Sequence, residues 1–196
     1  MKHWWVNMIN FQVAEFIKSA FSTDDHLHDY DQILFIGKSN VGKSSLINAL
    51  TNKTKLAYVS KTPGQTKLVN YYLIDHKFYL VDAPGFGYRK LAYEKDDFDR
   101  MMNEYLVDNP RLKLVCYLLD SRRDITEEEM GIISYVESLG YKTCIIFTKC
   151  DKINQSQRAK MLNSSRLLKA DGCLFSSIKD KKMLDKIKSY LSNYIE

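Results

Sequence analysis

The chain has 196 residues, of which 45% are hydrophobic and 27% charged, with three prolines and eight glycines. That size suits one domain, and the composition excludes a wholly disordered chain, a collagen-like repeat and a Pro-rich low-complexity protein. The net charge of +5 permits a polyanionic partner without demanding one.

In chain order, residues 1–10 are apolar in patches, broken by Asn7 and Asn10, with no small-residue cleavage site behind them. No signal peptide is expected, no apolar run of about 18 residues supplies a spanning helix, and the expected compartment is the cytoplasm. Residues 11–21 place Phe11, Ala14, Ile17 and Phe21 at helical spacing, which predicts a short amphipathic helix or an irregular lead-in. His26 and His28 lie among Asp24, Asp25 and Asp29, a spacing that fits no standard zinc site and reads as a solvated loop. Residues 1–30 therefore form a lead-in, and residues 31–196 the main domain.

From there the pattern alternates. Ile33-Leu34-Phe35-Ile36 predicts a buried strand, residues 43–50 a helix, and residues 67–74 and 78–81 an antiparallel hairpin. Residues 112–119 and 143–147 predict two further buried strands with a helix at 125–139 between them. A last short strand at 173–175 is flanked by helices at 155–169 and 183–194. Strands alternating with helices give an α/β fold, a mostly parallel six-stranded sheet with one antiparallel hairpin strand and helices on both faces. The four cysteines, Cys116, Cys144, Cys150 and Cys173, form no CxxC pair, so thiols in a reducing compartment are expected rather than disulfides or a zinc ribbon.

The strongest motif is Gly37-Lys38-Ser39-Asn40-Val41-Gly42-Lys43-Ser44, followed by Ser45, a full match to G-x-x-x-x-G-K-[ST] between a strand and a helix. The glycines let backbone N–H groups face phosphate oxygens, and the helix N-terminus adds positive potential. Lys43 reaches the β and γ phosphates, and the Ser44 hydroxyl can coordinate Mg²⁺. The P-loop fold predicted here thus binds a nucleoside triphosphate, without choosing among GTPase, ATPase and small-molecule kinase.

A Mg²⁺-triphosphate site needs a carboxylate at a neighbouring strand tip, and Asp82-Ala83-Pro84-Gly85 supplies it after four apolar residues. Asp82 can reach the metal through a water, and the Gly85 N–H can approach the γ-phosphate. Between the motifs lies Thr62-Pro63-Gly64-Gln65-Thr66. Thr66, directly ahead of the hairpin, is chosen over Thr62 to place its hydroxyl on Mg²⁺ and its N–H on the γ-phosphate, a contact that would make the loop a switch. At the end of the strand at 143–147, Thr148-Lys149-Cys150-Asp151 offers a carboxylate to guanine N1–H and its 2-amino group, donors that adenine does not present in this arrangement. The Lys149 stem can cover the purine face. Phe175-Ser176-Ser177 follows the last strand and can offer backbone N–H groups to guanine O6.

These segments occur in the order and spacing of the translation-factor-related GTPases. The wording of Gly37 to Ser45, Pro63 to Thr66, Asp82 to Gly87 and Phe175 to Ser177 resembles more closely the EngB (YihA/YsxC) family of bacterial GTP-binding proteins, over roughly residues 10–195. The resemblance implies a single-domain GTPase with Mg²⁺ at Ser44 and Thr66. It implies a role in maturation of the large (50S) ribosomal subunit and a need for the protein in normal septation and cell division.

Two departures stand out. Thr148 replaces the Asn that normally ties this loop to the phosphate loop, so a looser site is expected. Phe86 follows Gly85 where many GTPases place a water-orienting Gln, so slow hydrolysis without a partner or cation is expected. Asn40 sits where related GTPases hold potassium, so K⁺ beside the phosphates is one expectation and a plain polar loop residue the other. Partner-facing basic candidates for rRNA are Arg89, Lys90, Arg122, Arg123 and the lysines from Lys179 to Lys188. A monomer is expected. Two rivals remain at this point: a P-loop ATPase or phosphotransferase, and a GDP-bound interaction module that does not hydrolyse.

Overall fold

Short β-branched apolar runs and longer amphipathic ones alternate along this chain, and most take the structure that their period favours. The computed structural model describes residues 9–20, 25–58, 68–86, 100, 102–107, 109–166 and 168–195. The elements are β1 (Ala14–Ala20), β2 (Asp31–Gly37), α1 (Lys43–Thr51), β3 (Val69–Ile74), β4 (Phe78–Asp82), β5 (Leu112–Asp120), α2 (Glu127–Ser138), β6 (Thr143–Thr148), a 3-10 turn (Cys150–Lys152), α3 (Gln155–Ser165), β7 (Gly172–Phe175) and α4 (Lys181–Ser192). Residues 102–106 are also helical.

One sheet holds the strands in the order β1-β3-β4-β2-β5-β6-β7. β4, β2, β5, β6 and β7 pair in parallel, and β3 runs antiparallel to both β4 and β1. The single reversed strand is the one the hairpin predicts. The seventh strand corrects the six-strand expectation: the segment read as an amphipathic helix is β1, added to the outer edge of β3. Its pairing shifts register between Phe16 and Lys18, so the alternation of a strand is interrupted. Its buried residues are Ala14 and Ala20, while Phe16 stays exposed beside the Tyr72 ring.

Alternate strand residues feed two apolar layers. Ile33 and Phe35 pack with Leu46, Ile47 and Leu50 of α1 and with Leu184, Ile187 and Leu191 of α4. Leu34 and Ile36 face the other side, with Tyr105, with Ile133 and Val136 of α2, and with Met161 of α3. Burying a Leu, Ile or Phe side chain stabilises by roughly 1.5–3 kcal/mol, so this two-faced burial fixes each helix against the sheet. Capping residues set the helix starts: Thr126 and Glu129 form a reciprocal capping box on α2, as Asn154 and Gln157 do on α3.

Asp25, His28 and Asp29 are exposed as a solvated loop predicts, while His26 departs from that reading. Its Nδ1 lies 2.8 Å from the Tyr71 hydroxyl, and its ring meets Tyr105 edge-on at 5.1 Å. Burial, then the charge on His28, holds its pKa below the ordinary value.

The sheet's carboxyl edge matters most. Gly37 ends β2, Asp82 ends β4, Asp120 ends β5, Thr148 ends β6 and Phe175 ends β7. Because these five strands are parallel, the segments that begin at Gly37, Asp82, Thr148 and Phe175 emerge along one rim, where open α/β sheets bind their ligands.

Candidate functional site

The phosphate loop is built on β2 and α1. Gly42 caps α1 at φ 115°, a left-handed conformation that glycine adopts without Cβ strain. Lys43 opens the helix, is 8% exposed, and donates from Nζ to Gly37 O at 3.2 Å, so its ammonium closes the loop on itself. Burial pushes the Lys43 pKa down, and the Asp82 carboxylate works against that. The loop's amides divide: Ser39 N–H donates to Phe86 O at 3.0 Å and Val41 N–H to Lys38 O at 3.1 Å. The first amides of α1, from Lys43 onward, have no partner within the helix by its geometry and are the donors a phosphate would take. Val41 is buried, and Lys38 sends its Nζ to Thr126 Oγ1 (3.1 Å) and Glu128 Oε2 (3.3 Å) at the start of α2.

Ser44 and Asp82 meet at the tips of α1 and β4. Ser44 Oγ donates to Asp82 Oδ2 at 2.8 Å. The other carboxylate oxygen, Asp82 Oδ1, is buried and has no hydrogen-bond partner among the described residues. Burial raises the Asp82 pKa, opposed by Lys43 and by the Ser44 hydrogen bond. A hydroxyl and a buried carboxylate with an unsatisfied oxygen make a hard oxygen donor pair suited to Mg²⁺. These residues therefore fit the metal that a triphosphate brings.

Ala83 is buried, and its N–H donates to Phe35 O at 3.0 Å, fixing Pro84 and Gly85 against the loop. A Cβ on Gly85 would lie 2.6 Å from Ser39 Cα, so only glycine lets this turn sit so close to the phosphate loop. Phe86 turns its ring inward. It is 4% exposed and lies 5.9 Å from the Tyr117 ring. Thr62, Pro63, Gly64, Gln65, Thr66, Gly87, Arg89 and Lys90, which carry the switch expectations and two of the basic candidates, lie outside the described residues.

The base-reading end is tied down by contacts that the sequence reading did not expect. Thr148 Oγ1 donates to Val41 O at 2.7 Å, with Leu119 O a second acceptor at 3.1 Å. This corrects the expectation of a looser loop: the shorter threonine makes the same tie to the phosphate loop through its hydroxyl. Lys149, at φ 59°, spans from β6 to Asn40 O (2.8 Å) and Asp120 Oδ2 (2.8 Å). Cys150 N–H donates to Ser176 O and Ser176 N–H to Phe147 O, locking the ends of β6 and β7 together. Ser176 N–H is thus committed, and Ser177 Oγ accepts from Lys179 N–H. Asp151 stands at the rim, 3.7 Å from Lys152 Nζ. The Phe175 ring stacks on Phe147 at 5.4 Å and carries the Arg158 guanidinium 4.3 Å from its centre.

Two acidic residues escaped the sequence reading. Asp120, 7% exposed, gathers Arg122 and Lys149. Glu129, fully buried, takes both Arg123 guanidinium nitrogens at 2.7 and 2.6 Å. The signal available was a strand ending in Asp120, with Ser121 alone between it and Arg122-Arg123. Both arginines are therefore spent within the chain, whereas Lys179, Lys181, Lys182 and Lys186 are exposed. Asp120 and Arg123 line, with Lys38, Ser39, Asn40, Val41 and Phe86, a half-open cavity of about 150 Å³ beside the loop.

Comparison with known proteins finds relatives of this chain among GTP-binding proteins. Residues 32–149 match the family model described as 50S ribosome-binding GTPase. A relative from Fusobacterium nucleatum named "Probable GTP-binding protein EngB" is 46% identical over 156 residues, covering 77% of this chain and 79% of the relative. One of the same name from Clostridium perfringens is 40% identical over 185 residues, covering 91% and 93%. Among solved structures, a probable GTP-binding protein engB aligns with a TM-score of 0.64 at 20% identity, covering 83% of this chain and 97% of that one. The fold is also shared with Era in complex with MgGDPNP and a 16S ribosomal RNA segment, at TM-score 0.64 and 18% identity, covering 87% and 58%.

Proposed function

The chain belongs to the EngB family of GTP-binding proteins, and on that footing we propose that it is a molecular switch that binds GTP with Mg²⁺, hydrolyses it to GDP, and docks on the large ribosomal subunit or its precursor. The observation that carries this reading is the pairing of two buried, incompletely compensated charges at one strand edge. Among the described residues, Lys43 Nζ donates to a carbonyl and Asp82 Oδ1 has no hydrogen-bond partner. Burying such charges is costly unless a partner completes them, and a triphosphate with its metal has the matching charges.

In this reading Ser44, Thr66 and Asp82 would hold Mg²⁺, which would supply positive charge beside the β and γ phosphates. Gly37 to Ser45 cradle the phosphates, and Gly64 to Thr66 with Asp82 to Gly85 close on the γ-phosphate. Lys43, Thr66 and the Gly85 N–H stabilise the charge that develops during transfer. Asp151 reads guanine, Lys149 covers the ring, Thr148 and Cys150 fix that turn, and Phe175 to Ser177 border O6. Asn40 is a candidate K⁺ ligand. The exposed lysines of α4 suit rRNA phosphates. The working unit is a monomer with residues 31–196 as the nucleotide domain and 1–30 as its lead-in. The role is in ribosome assembly in the cytoplasm, and through it in septation. No helix among the described residues is long and apolar enough to cross a membrane.

The test is competition for a fluorescent GDP by GTP, GDP and ATP, repeated with 50S particles. Guanine nucleotides should compete and ATP should not, and 50S particles should favour the GTP form. ATP competing as well as GTP would contradict the reading. A second reading, a module that holds GDP without turnover, is favoured by Phe86, whose buried ring leaves no side chain there to orient a water. Single-turnover hydrolysis with and without 50S particles separates the two, since only a switch is accelerated.

A further inference from the structure

Lys149 makes two hydrogen bonds that leave its ammonium little freedom. One goes to Asn40 O of the phosphate loop and the other to Asp120 Oδ2 at the end of β5, each at 2.8 Å. Asp120 is itself held. Arg122 donates to Oδ1 from Nε (2.9 Å) and from its backbone N–H (3.1 Å), and to Oδ2 from Nη2 (2.7 Å). Asp120 is paired in register with Thr148, and Ser121 N–H donates to Thr148 O, so the carboxylate cannot drift from the β6 tip. Both ends of the Lys149 bridge sit in left-handed backbone, Asn40 at φ 61° and Lys149 at φ 59°. Non-glycine residues keep that conformation where their surroundings over-determine it.

We propose that Asp120 is a positioning residue for nucleotide binding: its carboxylate anchors the Lys149 ammonium against the phosphate loop, so that the lysine stem is set before the purine arrives. This rests on the reading that the base lies at Lys149 and Asp151. The reason is chemical. A free lysine stem samples many rotamers, and ordering it on binding costs affinity, whereas a stem pinned at its far end has already lost that freedom. The pin also bridges strand ends, since the same ammonium joins the β5 tip to Asn40, so the base side and the phosphate side are held in one spacing.

The consequence is kinetic. Removing the anchor should shorten nucleotide residence more than it slows capture, because the mouth of the site is unchanged. Losing one charge-assisted hydrogen bond corresponds to about a tenfold change. Arg122, whose side chain is half exposed, should matter less, since Lys149 keeps its acceptor without it.

The experiment is stopped-flow release of a fluorescent GDP from the full chain. Asp120→Ala should raise the release rate about tenfold, with the capture rate changed less than about twofold. Asp120→Asn, which keeps the shape and one acceptor, should raise it less, and Asp120→Glu should restore part of the loss. In a Lys149→Met background, Asp120→Ala should add nothing, because the anchored group is gone. An equal rise in both backgrounds, or a release rate for Asp120→Ala within about twofold of the unmodified chain, would overturn the inference. If the unmodified chain itself holds no fluorescent GDP, the nucleotide reading fails, and this inference with it.

Discussion

The two ends of the candidate site are built on opposite principles. At the phosphate end, Lys43 and Asp82 are buried, each with a pKa pushed toward its neutral form by burial, and Asp82 Oδ1 has no partner among the described residues. At the other end, Lys149 pairs with Asp120, while Thr148 donates to Val41 O and Cys150 Sγ to Phe147 O, so these groups find partners within the chain. The phosphate end carries a cost that its ligand relieves, while the base end is assembled without it. Affinity should therefore depend most on the first, and stability of the nucleotide-free protein most on the second.

The largest expected effect is at Lys43. Lys43→Met should weaken GTP and GDP binding by about a hundredfold or more, from the loss of a buried charge-assisted contact. The melting temperature of the nucleotide-free chain should not fall, because a buried ammonium has been removed. Calorimetric titration and a thermal melt on the same variant check both, and a lower melting temperature would break the contrast.

Asp82 comes next. Its pKa is raised in the folded chain, so the folded state binds more protons than the unfolded one above about pH 3.8, and stability attributable to this group declines as pH rises from there. Asp82→Asn should raise the melting temperature of the nucleotide-free protein more at pH 7 than at pH 4. It should also reduce by about tenfold the gain in GTP affinity that Mg²⁺ confers. Urea unfolding at the two pH values measures the first effect, and binding with and without chelator the second.

Thr148→Val should do the reverse, lowering stability by about 1–2 kcal/mol through two carbonyls that lose their donor. Thr148→Asn, which can remake the tie, should restore much of it. The smallest effect is in acid. Burial pushes the Asp120 pKa up, but the Arg122 and Lys149 hydrogen bonds outweigh it and hold the carboxyl well below its ordinary range. The stability it contributes is full above about pH 3.8 and lost as pH falls through the folded value. Asp120→Asn should flatten that acid limb of an unfolding-versus-pH curve and leave the neutral region nearly level.

Most of the fold was legible because β2, β4 and β6 are short apolar runs that each end in a motif, and α2, α3 and α4 carry side-chain caps in the sequence. β1 was not. Its bulge near Ile17 breaks the two-residue alternation, and its partners in Val69–Ile74 lie 49 to 60 residues further along the chain, so Phe11, Ala14 and Ile17 imitate a helical stripe. In the candidate site, the meeting of Ser44 with Asp82 and of Lys43 with Gly37 was legible, because each motif follows a strand of the same parallel set. The Thr148 tie was not, since it depends on a 2.7 Å approach between two loops that no local pattern encodes. Asp120 was hidden for a related reason: a carboxylate at a strand end looks like any turn residue until the neighbouring strand places Lys149 beside it.

The most direct measurement is calorimetric titration of the chain and its Asp151→Asn variant with GDP, ATP and xanthosine diphosphate. A site that grips phosphates between Gly37 and Ser44 and reads guanine at Asp151 predicts tight GDP, no measurable ATP, and a shift of preference to xanthosine diphosphate in the variant. Unchanged GDP binding by Asp151→Asn, or ATP binding that matches GDP, would contradict it.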